Sequence, residues 1–129
     1  MAAPTVLVCD DEPHILLLVV MTLRNDGYRL LEANDGEEAL ELARSEQPDL
    51  IVLDASMPRM SGFDVSAAIR ADASIEPKPF VLMLTAAGQE SDRRLAESSG
   101  VDEFQTKPFS PSRLRAQVRD ILAGRAGAG

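Results

Sequence analysis

Short apolar runs and amphipathic helical patterns alternate along the whole chain, and this alternation limits the fold more than any single residue does. The runs Thr5–Cys9, Tyr28–Ala33, Asp49–Asp54, Phe80–Thr85 and Val101–Thr106 read as strands. Between them, His14–Asn25 reads as a helix that Pro13 opens and Gly27 stops. Asp35 with Glu38 predicts a capped helix through Ser45, with Ala39, Leu40 and Ala43 inward and Pro48 beyond its end. Ser61 with Asp64 predicts another to Ala71, burying Val65, Ala68 and Ile69. Glu90–Ser99 is a weaker helical pattern, and Ser110-Pro111 starts a last helix striped by Leu114, Val118, Ile121 and Leu122. Strict β–α alternation implies a parallel sheet covered by helices on both faces, an α/β architecture. Such sheets bind ligands beyond the carboxyl ends of their strands.

At 129 residues the chain fits one domain, expected over 1–123, with a Gly/Ala-rich flexible tail at 124–129. A formal charge of −8 argues against direct nucleic acid binding and leaves room for a cation or a protein partner. Cys9 is the lone cysteine, so an internal disulfide and an all-cysteine zinc site are excluded. The longest apolar run, Ile15–Met21, has seven residues and is too short for a membrane span. With no signal-peptide pattern at the N-terminus, a cytoplasmic location without membrane association is expected.

The strand ends carry the chemistry. The first ends in Asp10-Asp11, the third in Asp54, the fourth in Thr85, and the fifth runs on to Lys107. In a parallel sheet these side chains converge on one crevice. Three close carboxylates repel and raise one another's pKa, a conflict that a hard divalent cation, Mg2+ or Mn2+, resolves through oxygen ligands. An ammonium and a hydroxyl beside them suit phosphoryl oxygens. Asp54 is the natural nucleophile, since a carboxylate can form an aspartyl phosphate.

Taken together, Val8-Cys-Asp-Asp-Glu12, Asp49-Leu-Ile-Val-Leu-Asp54, Met57-Pro58 with Gly62, Thr85-Ala86 and Lys107-Pro108-Phe109 resemble the receiver domain of two-component response regulators. The resemblance covers about residues 4 to 123. It implies a flavodoxin-like, doubly wound (βα)5 three-layer sandwich with strand order 2-1-3-4-5. It implies that Asp54 accepts phosphate from a histidine kinase or a histidine phosphotransfer protein, and that the domain then changes its binding of a downstream effector protein. Asp11 and Asp54 would ligate Mg2+ directly, Asp10 through water, with the Ser56 backbone carbonyl as a further ligand. Thr85, Ala86 and Lys107 would surround the phosphoryl group, Thr85 and Phe104 would form the switch, and Lys107–Pro108 would be a cis peptide.

There are departures from the family pattern. Phe104 stands where a tyrosine is usual, and Asp102-Glu-Phe-Gln is a polar fifth strand. The first helix is apolar all round, where one stripe suffices for a helix on a sheet. With Ile15, Leu18, Val19 and Leu23 facing the sheet, Leu16, Leu17, Val20 and Met21 form an outward docking patch for a protein phosphodonor, with a homodimer as the rival use.

Each site residue alone has an ordinary explanation: Asp10-Asp11 as a helix cap, Thr85 as a strand-end hydroxyl, Lys107 as a surface cation. The combination favours phosphoryl chemistry without enzymatic turnover. Two alternatives have specific obstacles. An aspartyl phosphohydrolase would want a second carboxylate two residues after the nucleophile, where Ser56 stands, and an FMN carrier would set its phosphate against Asp10-Asp11-Glu12. The leading expectation is a stand-alone single-domain receiver that works by docking to other proteins, and a receiver cut from a longer regulator with a separate output domain is the alternative.

Overall fold

The computed structural model describes residues 3–86 and 99–128. Its elements are β1 (Thr5–Cys9), α1 (Pro13–Leu23), β2 (Arg29–Ala33), α2 (Gly36–Glu46), β3 (Leu50–Asp54), α3 (Gly62–Ala71), β4 (Phe80–Ala86), β5 (Glu103–Lys107) and a last helix, α4 (Pro111–Ala128). The strands form one sheet of order β2-β1-β3-β4-β5 with every pair parallel, as the resemblance implies. The predicted helix at 90–99 lies outside the described residues, apart from the turn at Ser99.

Side-chain alternation along the strands divides the core in two. Leu7, Cys9, Ile51, Leu53, Val81 and Met83 pack with Ala39 and Ala43 of α2 and Val65 and Ile69 of α3. Val6, Val8, Leu50, Val52, Leu82 and Leu84 pack on the other face with α1 and with Leu114, Val118, Ile121 and Leu122 of α4. β1 and β3 are therefore buried along their whole length, which their unbroken apolar runs require. The helix caps form as predicted: Asp35 accepts from the Glu38 N–H at 2.8 Å, and Ser61 and Asp64 make a reciprocal capping box.

Several expectations are corrected. In α1 the buried stripe is Leu16, Val19 and Leu23, so Leu16 belongs to the core and not to the docking patch. Leu18, expected to face the sheet, is exposed with Leu17 and Met21. The spacing of 3 and 4 from Leu16 through Val19 to Leu23 is the helical period, and an all-apolar helix gives no contrast by which to phase it. Val20 and Ile15 are half-buried against the core. α4 runs to Ala128; alanines at 123, 126 and 128 favour helix and no proline stops it.

β5 begins at Glu103, because Asp102 uses its side chain to continue the pairing. Its carboxylate accepts from the Val81 N–H at 2.8 Å and from Arg70 at 2.6 Å. β5 is an edge strand with half-exposed side chains, which accounts for its polar sequence. On α3, Ala68 is only partly inward. Ser66 is fully buried instead, its hydroxyl donating to the Ser99 carbonyl at 2.8 Å.

Candidate functional site

The parallel sheet brings the predicted residues to one end. Asp10 follows the last residue of β1, with its N–H on the Ala33 carbonyl at 3.2 Å, and its Oδ1 accepts from the Glu12 N–H at 2.8 Å. Asp54 is the final residue of β3, and both it and Asp10 are almost fully buried. Asp11, beside them, is half-buried. Oxygens of these three carboxylates lie within 4.8 Å of one another. Lys107, the last residue of β5, places Nζ 2.8 Å from Asp54 Oδ1 and 3.5 Å from Asp10 Oδ2. Ala86 pairs with Lys107 in register, and Thr85, buried at the end of β4, pairs with Thr106. Lys107–Pro108 is cis, as the resemblance implies.

The loop after β3 is held tightly. Ala55 donates to the Leu84 carbonyl at 2.9 Å, and its own carbonyl accepts from the Gly62 N–H at 3.0 Å. The Ser56 N–H points back to Asp54 Oδ1 at 3.4 Å. Met57 is buried, its sulfur 3.7 Å from the Cys9 thiol. Gly62 is where α3 meets β3 most closely. A Cβ there would lie 2.3 Å from the Asp54 carbonyl oxygen and 2.8 Å from Met83 Sδ.

Three carboxylates against one ammonium leave an excess of negative charge in a site where burial already disfavours it. Burial, with Asp54 adding to it, pushes the Asp10 pKa up to about 6 despite the Glu12 N–H and Lys107. Asp54 is also raised, by burial first and by Asp11, against the opposing bond from Lys107. For Lys107 burial works downward, but Asp54 and Asp10 outweigh it and the ammonium is held more firmly than usual. Burial and the adjacent carboxylates push the Cys9 thiol up to about 12, so it stays protonated and unreactive. An oxygen-only, over-charged donor set of this kind matches the chemistry of a hard divalent ion.

The remaining predicted residues lie around this centre. Phe104 stands on β5 opposite Met83 and is 38% exposed. It borders a cavity of about 210 Å³ shared with Pro108, Phe109, Arg113 and Gln117. On α1, exposed Leu17, Leu18 and Met21 follow exposed His14 at helical spacing, a face that begins just after Asp11.

The model of the response regulator receiver domain matches residues 6–119. The chain belongs to this family. PhoP of Bacillus subtilis, the alkaline phosphatase synthesis transcriptional regulatory protein, is 44% identical over 117 residues, 91% of this chain and 48% of its own. RpaA of Synechocystis, a DNA-binding dual master transcriptional regulator, is 42% identical over 119 residues, 92% of this chain and 49% of its own. The chain thus spans about half the length of these relatives. Among solved structures, the chemotaxis protein CheY4 of Vibrio cholerae gives a TM-score of 0.85 at 32% identity, over 93% of this chain and 99% of that one. The receiver domain of the Francisella response regulator 1452 gives 0.84 at 30% identity, over 95% and 98%. No helix among the described residues is long and apolar enough to cross a membrane.

Proposed function

We propose that this receiver domain takes a phosphoryl group from a histidine kinase or a histidine phosphotransfer protein onto Asp54 and passes the signal to an effector protein. The observation that carries this reading is the three-carboxylate cluster with Lys107 bonded to Asp54 at the strand ends. An Asp54 carboxylate oxygen attacks phosphorus, the new P–O bond forms as the P–N bond to the partner's histidine breaks, and the imidazole keeps the electron pair. Asp10, Asp11 and Asp54 with the Ser56 carbonyl would hold Mg2+ or Mn2+, which supplies positive charge that offsets the phosphoryl oxygens. Lys107 and Thr85 bind phosphoryl oxygens, and the small Ala86 leaves them room. Phe104 responds to Thr85. The domain acts as a signalling phosphoacceptor in the cytoplasm, without turnover of a substrate.

Acetyl phosphate tests the acceptor directly. With Mg2+ the wild-type chain is expected to gain one acid-stable, base-labile phosphoryl group, and Asp54→Asn none. Undiminished labelling of Asp54→Asn contradicts the assignment.

The exposed face of α1 serves the protein donor in this reading. It starts beside Asp11, so a helix gripping it brings its histidine near Asp54. Only Leu17, Leu18 and Met21 are large exposed apolar groups there, too small a patch for the roughly 800 Å² per partner of a stable interface. That suits a transient donor better than a permanent dimer. Leu17→Glu with Leu18→Glu is expected to leave acetyl phosphate labelling intact and to slow transfer from a protein donor at least tenfold. Intact transfer with loss of a dimer in sedimentation would instead assign the patch to self-association.

A further inference from the structure

We infer that Gly36, on a helix that supplies none of the proposed ligands, is a positioning residue for the Asp54 site and acts through the backbone of the β3–α3 loop. The inference rests on the phosphoacceptor reading above. Gly36 is the first residue of α2, is buried, and follows the Asp35 cap. A Cβ at this position would lie 2.9 Å from the Met60 carbonyl oxygen, 2.9 Å from Val65 Cγ2 and 3.0 Å from Met60 Cβ. Its missing side chain is therefore what lets the start of α2 close against the loop.

The same loop is fixed at other points. Ala55 is bonded to Leu84 and Gly62, and Met57 sits on Cys9, whose thiol donates to the Asp35 carbonyl at 3.3 Å. Asp35 and Gly36 thus reach the loop at both Met57, through Cys9, and Met60. Between these holds the chain carries Ser56 and bends through Arg59, a non-glycine residue at φ 67. Such a conformation persists only where surrounding packing enforces it. The Gly36 contact is one of the enforcing contacts, and moving it displaces Met60 and the segment that presents the Ser56 carbonyl.

Local preference runs the other way, which makes the test decisive. Alanine is a better helix former than glycine, so without this contact Gly36→Ala would be neutral or stabilising. The comparison variant is Gly100→Ala. There φ is +77 and the three atoms nearest to a Cβ all belong to the Arg70 side chain, at the opposite end of the sheet. Measured on the full chain are Mg2+ affinity by calorimetry, amide chemical shifts of residues 55–61 without metal, thermal midpoint, and the rate of acetyl phosphate labelling.

Gly36→Ala is expected to shift the amides of Ser56–Met60, to weaken Mg2+ binding about tenfold, as loss of an outer support typically does, and to slow labelling in proportion. Gly100→Ala is expected to lower the midpoint with Mg2+ affinity kept within about twofold of wild type. If Gly36→Ala does not fold, Gly36→Ala with Val65→Ala removes the Val65 contact and retains those with the Met60 carbonyl and Cβ, and the same loss is expected. Mg2+ affinity within about twofold of wild type in the folded variant overturns the inference, as does an equal loss in Gly100→Ala. A wild-type chain that neither binds Mg2+ nor labels on Asp54 would instead refute the phosphoacceptor reading itself.

Discussion

Gly62→Ala is expected to be among the most damaging single-methyl changes in this chain. The added carbon would sit 2.3 Å from a backbone oxygen, that of Asp54, and 2.8 Å from the fully buried Met83 sulfur. No side-chain rotation relieves the first contact, so either the start of α3 or the end of β3 must move. Overpacking of this kind costs about 1–3 kcal/mol, occasionally more. For a domain of this size that lowers the thermal midpoint by about 3–5 °C per kcal/mol. The moving part carries the acceptor, so acetyl phosphate labelling should fall at least tenfold at a temperature where the variant is still folded. Gly124→Ala provides the contrast. It lies within α4 with nothing inside 4 Å of its Cβ position, and alanine there should be neutral or stabilise by up to about 1 kcal/mol. Equal midpoints for the two variants would mean that α3 can pivot freely and that the close approach is unimportant.

Lys107→Met should have an effect of similar size, with a pH signature. The variant keeps the length of the side chain and removes the cation bonded to Asp54. A buried carboxylate that loses its partner typically costs about 3–5 kcal/mol, and the partial exposure of Lys107 places this site near the lower end. The sign with pH follows from proton binding. Asp10 has a folded pKa of about 6 against an ordinary 3.8, so between these values the folded state holds more protons than the unfolded. Stability from this group therefore falls as pH rises from about 4 to 6, and Asp54, also raised, adds in the same direction. Removing Lys107 raises both pKa values further. The deficit against wild type should be smaller at pH 4, where Asp10 is protonated, than at pH 7.5. Mg2+ at millimolar concentration should recover much of it at pH 7.5 by replacing the lost positive charge. A deficit that is the same at both pH values would mean that Lys107 contributes packing and not charge.

The strand ends were readable in the sequence because a parallel sheet leaves little freedom there. Once Leu-Ile-Val-Leu before Asp54 is a buried strand, the next side chain has one place to go, and the same holds for Asp10 after β1. The side of α1 that faces outward was not readable in this way. A run from Ile15 to Met21 without a polar residue has no amphipathic phase, and the choice between Leu16 and Leu18 is made by the packing of α1 on Val6, Val8 and α4. Ser66 looks like a surface position, and only the carbonyl of Ser99, far along the chain, explains its burial. Gly36 is harder still. Glycine at the start of a helix is unremarkable, and its constraint arises from a contact with Met60 that no local pattern announces. In the sequence Asp102 is an ordinary polar residue of the fifth strand, and only the structure shows its carboxylate accepting from the Val81 N–H.

Site mapping of the phosphorylated chain tests the central claim most directly. The wild-type protein is incubated with acetyl phosphate and Mg2+, reduced with borohydride to convert an acyl phosphate into homoserine, digested, and read by mass spectrometry. Homoserine is predicted at position 54 alone, and none in a parallel sample containing EDTA. Modification at another aspartate with position 54 intact, or equal modification in the presence of EDTA, would contradict the account.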